Sequence, residues 1–150
     1  MWREASIRRI YGDFAGGGPQ GWTKEKLASL AIVPHQQFAN TTGKNASDIA
    51  LVIDAMDILH TGRFDGFVLV SSDSDFTALA NRVREQGMDV IGIGEAKTPE
   101  SLRNVCNRFI LVENIVDEQE AAEDRDHSED RHPPVRRLAA SFCSSEQSFL

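Results

Sequence analysis

Phe67-Val68-Leu69-Val70-Ser71-Ser72-Asp73-Ser74-Asp75-Phe76 is the stretch on which the fold turns. Four apolar residues in a row leave no polar face, which marks a strand covered on both sides, as in a parallel sheet. The run stops at a cluster of serines and aspartates. Phe76, Leu79, Ala80 and Val83 then recur at the spacing of one helix face, and Gly87 supplies a stop. That pattern predicts a helix over 74–86. Working outward, 90–93 reads as another buried strand. Thr98-Pro99-Glu100 reads as a helix start, because proline suits a first turn and an acid faces the helix dipole. That helix ends near residue 107, and 109–112 forms a last strand. Upstream, 46–60 is the clearest helix, with Ile49, Val52, Ile53, Met56 and Leu59-His60 as its buried stripe. Residues 32–38 read as extended with Pro34 near their start, and 23–31 as a helix with Thr23 as N-cap. Residues 7–11 read as a short strand ended by Gly12-Asp13. Gly16-Gly17-Gly18-Pro19 and 40–43 are breakers and loop. Strands alternate with helices, so the expected fold is α/β: a parallel sheet with helices on both faces and function at the carboxyl ends of its strands.

The chain has 150 residues, of which 41% are hydrophobic and 26% charged, enough apolar material for one core. No apolar run approaches the ~18 residues of a membrane span. Met1-Trp2-Arg3-Glu4 lacks the layout of a secretory signal. Two cysteines, Cys106 and Cys143, make neither a disulfide framework nor a four-ligand zinc site. A membrane protein, a secreted disulfide scaffold and a zinc finger are excluded as readings, and the expected setting is the reducing cytoplasm. The net charge of −7 is uneven: residues 1–112 hold 12 Lys and Arg against 13 Asp and Glu, whereas 113–150 hold 4 against 10. A nearly neutral domain neither advertises nor excludes a nucleic-acid partner.

Asp73 and Asp75 sit where a buried strand gives way to a helix. Carboxylates at a sheet edge are costly unless neutralised. Magnesium does this with hard oxygen ligands, a few carboxylates, water and substrate phosphate, and the Ser71 and Ser72 hydroxyls can orient the acids. The same residues also read as a capping box, with Ser72 as cap and Asp75 reaching back, which leaves Asp73 spare. Lys44-Asn45-Ala46-Ser47-Asp48 enters the long helix, where Asn45 can cap and Asp48 sits in the first turn. Both acid clusters open helices, so a shared rim would gather Asp48, Asp73 and Asp75 into a metal site. At about 100° per residue, Asp54 lies about 120° round the helix from Asp48 and Asp57 about 180°. Asp57 is expected to face solvent and Asp54 to pair with a nearby polar group. Asp13 either points to the same rim or closes an Asx-type turn before the glycines. The histidines have no ligand spacing, no Ser-His-Asp set assembles, and the glycine cluster matches no phosphate loop.

Arg9-Ile10-Tyr11-Gly12-Asp13, Gly43-Lys44-Asn45-Ala46-Ser47-Asp48-Ile49-Ala50-Leu51, Ile53-Asp54-Ala55-Met56-Asp57, Ser71-Ser72-Asp73-Ser74-Asp75-Phe76 and Gly94-Glu95-Ala96-Lys97-Thr98-Pro99 together resemble the NYN domain. This is a PIN-like nuclease family, and the similarity is greatest to its bacterial LabA-like branch, over about residues 7–115. The resemblance implies a PIN-like, Rossmann-like three-layer α/β fold and an acidic site, dependent on Mg2+ or Mn2+, that cleaves RNA. The family's catalytic, metal-holding acids fall on Asp48, Asp73 and Asp75. Asp54 matches a recurrent family aspartate and Asp13 another. Asn45, Ser71 and Ser72 would position the acids, and Lys44 or Lys97 would contact phosphate. The implied partner is RNA, not a membrane.

Family members begin with a further strand that ends in an Asp-x-Asp-Asn type motif, followed by a helix. This chain starts almost at the second strand. Domain 1–116 is therefore expected to lack that first strand and its aspartate, leaving a gap between the strands at 7–11 and 67–70. The start then reads as misplaced, a fragment or a degenerate gene, with weakened metal binding and little activity. Residues 117–150 are charge-dense, then proline- and serine-rich, and are expected to be a largely disordered tail; a short helix over 117–125 is compatible with them. The LOTUS-type RNA-binding module that follows many NYN domains is not visible. Two rival readings stand beside the ribonuclease. One is an inactive pseudo-nuclease that binds RNA or protein. The other is a haloacid dehalogenase-type phosphatase, since Asp73-Ser74-Asp75-Phe76-Thr77 fits Asp-x-Asp-x-Thr, although that motif normally opens its domain.

Overall fold

The computed structural model describes residues 2–15, 21–38, 45–115 and 136–143, with 2–4 and 136–143 described as backbone. Six strands make one sheet: β1 (Trp2–Gly12), β2 (Val33–Gln36), β3 (Gly66–Val70), β4 (Asp89–Gly94), β5 (Arg108–Leu111) and β6 (Arg136–Cys143). Their order is β2-β1-β6-β3-β4-β5, and every neighbouring pair is parallel. The helices are α1 (Lys24–Ser29), α2 (Ala46–His60), α3 (Thr77–Glu85) and α4 (Glu100–Val105), with a 3-10 turn over Ser74–Phe76 leading into α3.

Local chemistry accounts for these elements. Thr23 Oγ1 accepts from the Lys26 N–H and starts α1. Pro34 is tolerated because β2 lies at the sheet edge, where a missing N–H leaves no ladder partner unpaired. Phe76, Leu79, Ala80 and Val83 are all buried, and Gly87 closes α3 at a positive φ of 78°. The main core joins α2, α3 and α4 to the sheet face that carries Tyr11, Phe67 and Leu69. A smaller cluster of Ile10, Leu27 and Ile32 packs α1 against the opposite face. Helices thus lie on both faces of a parallel sheet, as expected. Of β3's apolar run, Phe67 and Leu69 are buried while Val68 and Val70 are half-buried, so one face is sealed more completely than the other.

The buried stripe of α2 is a correction. Leu59 faces the core and Val52 and Met56 pack against it, as expected, but Leu51, Ala55 and Ile58 complete the buried line, and Ile49 and Ile53 are exposed at 60% and 58%. The helix carries two overlapping apolar ladders, and periodicity alone does not say which one the sheet takes.

The centre of the sheet is the larger departure. Arg136–Cys143, within the tail expected to be disordered, is the strand that occupies the expected gap. It pairs with β1 through Tyr11↔Cys143 and with β3 through Val70↔Phe142. Without it, β1 and β3 would present unpaired ladder edges, and a buried backbone group left unpaired costs about 1–3 kcal/mol. The short apolar core of Leu138-Ala139-Ala140-Ser141-Phe142 suffices for a strand once both flanks are supplied. The rest of the tail, including 117–125, lies outside the described residues, as do the glycine cluster, 40–43 and Lys44.

This topology positions the site. The crossover from β1 to β2 steps toward one edge, while β3, β4 and β5 step toward the other. The reversal falls on β6 between β1 and β3. In open α/β sheets, ligands gather outside the carboxyl ends of the strands at such a switch point.

Candidate functional site

The turn after β3 is held by its own side chains. The Ser71 N–H donates to the Ile93 carbonyl at 3.0 Å, which ties the turn to β4. The Asp73 N–H donates to Ser71 Oγ at 3.1 Å, and the Asp75 N–H donates to Asp73 Oδ1 at 2.9 Å. Ser72 Oγ accepts from the Glu95 N–H at 2.9 Å, and buried Thr98 donates its hydroxyl to the Glu95 carbonyl at 2.6 Å. Gly94 leaves room for this clamp. A Cβ there would come within 2.8 Å of the Ser71 carbonyl and 2.9 Å of both Ser72 Oγ and Thr98 Oγ1. The expected capping box is shifted: Asp73, not Ser72, is the N-cap, and Asp75 is exposed rather than reaching back. An Asx contact to the residue two positions on fits the tight 3-10 start better than a capping box does. Thr77, two residues beyond Asp75, holds a buried hydroxyl with no partner among the described residues.

On the other side of β6, Asp13 follows β1. Its Oδ1 accepts from the Ala15 N–H at 2.9 Å and from Gln36 Nε2 at 2.6 Å, so the Asx-turn alternative is the one adopted. Asp48 lies half-buried in the first turn of α2. Asn45 occupies the N-cap position of that helix, but its side chain makes no capping bond.

Asp54 finds the polar partner expected for it. Arg9 Nη1 donates to both carboxylate oxygens at 2.5 Å, and the Tyr11 hydroxyl donates to Oδ2. Arg9 and Tyr11 alternate along β1 and so share the sheet face that α2 covers. Burial alone would raise the Asp54 pKa; the hydrogen bonds from Arg9 and Tyr11 outweigh it and hold the carboxyl below its usual range. The Arg9 pKa is raised, chiefly by its bond to Asp54. Burial, then the Asp54 carboxylate, pushes the Tyr11 phenol upward. Asp54 is therefore engaged in joining α2 to β1.

Beside this network, a cavity of about 350 Å³ opens between α2 and the ends of β1 and β2. Tyr11, His35, Gln37, Asp54 and Asp57 line it together with the Ala46, Ile49, Ala50 and Ile53 face of α2. Asp57 is exposed, as expected. Arg9, Tyr11, His35 and Gln37 were not singled out by sequence as site residues. The alternation of Arg9 and Tyr11 was the available signal.

Among the described residues, no three His, Cys, Asp or Glu side chains gather closely enough to hold one ion. Lys97 is paired with Glu95 at 2.8 Å. Cys106 is a buried free thiol whose pKa is raised by that burial. No helix among the described residues is long and apolar enough to cross a membrane.

Comparison with known proteins agrees with this architecture. The NYN domain model matches residues 2–113, so the chain belongs to the NYN family and with it to the PIN-like nuclease superfamily. The phosphatase reading is thereby set aside. Members of this family generally act on RNA and use divalent metals. Among solved structures, the chain is similar to a protein of unknown function from Vibrio parahaemolyticus RIMD 2210633. The TM-score is 0.53 at 18% identity, covering 73% of this chain and 70% of that one. At this identity the likeness speaks to the fold alone. No curated protein matches the chain.

Proposed function

We propose that this chain is a metal-dependent ribonuclease that hydrolyses RNA phosphodiester bonds at the carboxyl rim of β3, acting in the reducing cytoplasm. One observation carries the reading: Asp73 and Asp75 share a clamped strand-to-helix turn at the switch point of the sheet, in a chain of the NYN family. The donor set suits a hard cation. Asp75 is exposed, Asp73 spends only Oδ1 on its cap, and the partnerless Thr77 hydroxyl lies two residues on. Magnesium is commonly held by one or two carboxylates with water and substrate phosphate, so the lack of a three-acid cluster among the described residues is compatible with it. Asp73 and Asp75 would hold Mg2+ or Mn2+. Asp48, in the first turn of α2, would orient the attacking water rather than join the pair as a third ligand. Ser71 and Ser72, which brace the turn, and Asn45 would position the acids, and Lys44 and Lys97 would contact the RNA phosphates, Lys97 on leaving its pair with Glu95. When bound, such a cation polarises the phosphate, lowers the pKa of its water and stabilises the leaving oxygen.

The test is cleavage of single-stranded RNA by the full chain with magnesium or manganese, against EDTA and against the Asp73→Ala, Asp75→Ala double variant. Weak metal-dependent cleavage that disappears in the variant is expected, since Arg136–Cys143 fills the middle of the sheet without supplying an aspartate; cleavage unchanged in the variant overturns the assignment. A second reading, an RNA-binding pseudo-nuclease, is favoured by the middle strand Arg136–Cys143, whose sequence carries no carboxylate where the family's first strand supplies one. It predicts metal-independent RNA binding in a shift assay without turnover.

A further inference from the structure

We infer that the cavity between α2 and the carboxyl ends of β1 and β2 is a guanine-binding pocket. It would take one unpaired base of the RNA next to the cleaved phosphate. The substrate follows from the ribonuclease reading above; the base identity follows from the cavity itself. At about 350 Å³ it lies within the range of about 300–1,000 Å³ usual for small-molecule sites.

One wall is apolar and belongs to a single helix face, Ala46, Ile49, Ala50 and Ile53. Ile49 and Ile53 are more than half exposed, although burying such a side chain would contribute about 1.5–3 kcal/mol. A flat apolar strip kept open to solvent suits the face of a planar ring. Half-buried His35 stands in the same cavity, its ring centroid 5.1 Å from that of fully buried Tyr11 behind it, with planes tilted by 39°. A histidine ring at such a place can stack against a splayed-out base of single-stranded RNA.

The polar groups select the base. Asp54 is already neutralised by Arg9 and Tyr11. The exposed carboxylate left in the lining is Asp57, which only accepts hydrogen bonds and repels phosphate. Gln37 adds an amide with both donor and acceptor capacity. Guanine presents two adjacent N–H donors on its Watson–Crick edge, which match a carboxylate, and a carbonyl that an amide N–H can reach. Adenine, cytosine and uracil lack that paired-donor edge. From Ala46 to Asp57 the helix face runs about 16 Å at ~1.5 Å per residue. That is room for a base at the Asp57 end and a phosphate near the rim, where Asp48 lies on the same helix.

The experiment titrates the full-length wild-type chain, in EDTA, with 5′-GMP, AMP, CMP and UMP, followed by equilibrium dialysis and amide chemical shifts. GMP should bind at least tenfold more tightly than the others. Asp57→Asn should abolish that preference, Gln37→Ala should weaken it, and Ile53→Ala should weaken all four nucleotides together. Circular dichroism should show each variant folded, since all three side chains reach the cavity from the surface. Equal binding of the four nucleotides, no binding, or a GMP preference untouched by Asp57→Asn overturns the pocket. The two readings fail separately. GMP preference without metal-dependent cleavage sinks the ribonuclease and leaves the pocket, whereas cleavage without base preference sinks the pocket alone.

Discussion

Replacing Ala140 by proline should unseat the middle strand of the sheet. Ala140 is paired with Arg8 on β1 and with Val68 on β3, so its backbone is enclosed by ladder on both sides. Proline removes one N–H from that ladder and leaves a neighbouring carbonyl unpaired, at a cost of about 1–3 kcal/mol. Its ring must also be accommodated in a packed sheet, for a further ~1–3 kcal/mol. The combined loss of about 2–6 kcal/mol is large against the ~5–15 kcal/mol total stability of a domain. With a urea m-value of about 1–3 kcal/mol per molar, the unfolding midpoint should fall by roughly 2 M. Ala140→Gly, which keeps the N–H and weakens the strand only through backbone entropy, should cost about 0.5–1 kcal/mol. Urea melts of the three proteins by circular dichroism make the comparison. A proline variant with the wild-type midpoint would show that Arg136–Cys143 does not hold β1 to β3, so that the acid turn would not lie at a switch point of one continuous sheet.

Three further outcomes follow from the same contacts. Tyr11→Phe removes the phenolic donor to Asp54 and should lower stability by about 1.5–3 kcal/mol, the usual worth of a hydrogen bond to a charged group, measured by urea denaturation. Because the Asp54 pKa is lower folded than unfolded, its contribution is fully present above the unfolded value of about 3.9 and fades as pH falls through the folded one. The stability difference between wild type and Asp54→Asn should therefore shrink between pH 7 and pH 3; a difference constant over that range would contradict the network. Asp73→Ala removes the cap of the 3-10 turn and should cost about 1 kcal/mol, whereas Asp75→Ala, whose side chain is exposed, should leave stability within about 0.5 kcal/mol while still impairing cleavage.

Much of the chain was legible because its signals are local. The inward face of α3, the Thr23 cap and the Asx turn at Asp13 each involve residues within a few positions of one another. The acid turn after β3 was legible for the same reason, though which residue caps it depended on whether the helix opens as 3-10 or α. The NYN resemblance came from the same short blocks and was borne out by the family match.

What escaped was non-local. Arg9 and Tyr11 reach Asp54 across 45 and 43 residues, and no spacing rule links those positions. The rotation of α2 about its axis, which leaves Ile49 and Ile53 to line a cavity, depends on the sheet beneath it. The place of Arg136–Cys143 depends on two flanking strands that are distant in sequence.

By itself, the amino-acid order determined the kinds of element and their succession as far as β5, and the carboxylates that open two of the helices. Only the folded chain decided which strand lies in the middle, which side of α2 is buried, and which aspartate is spent on an arginine. Periodicity and capping are properties of neighbouring residues, whereas strand order and ion pairing are settled by the backbone and side-chain groups that remain unsatisfied once every element is packed.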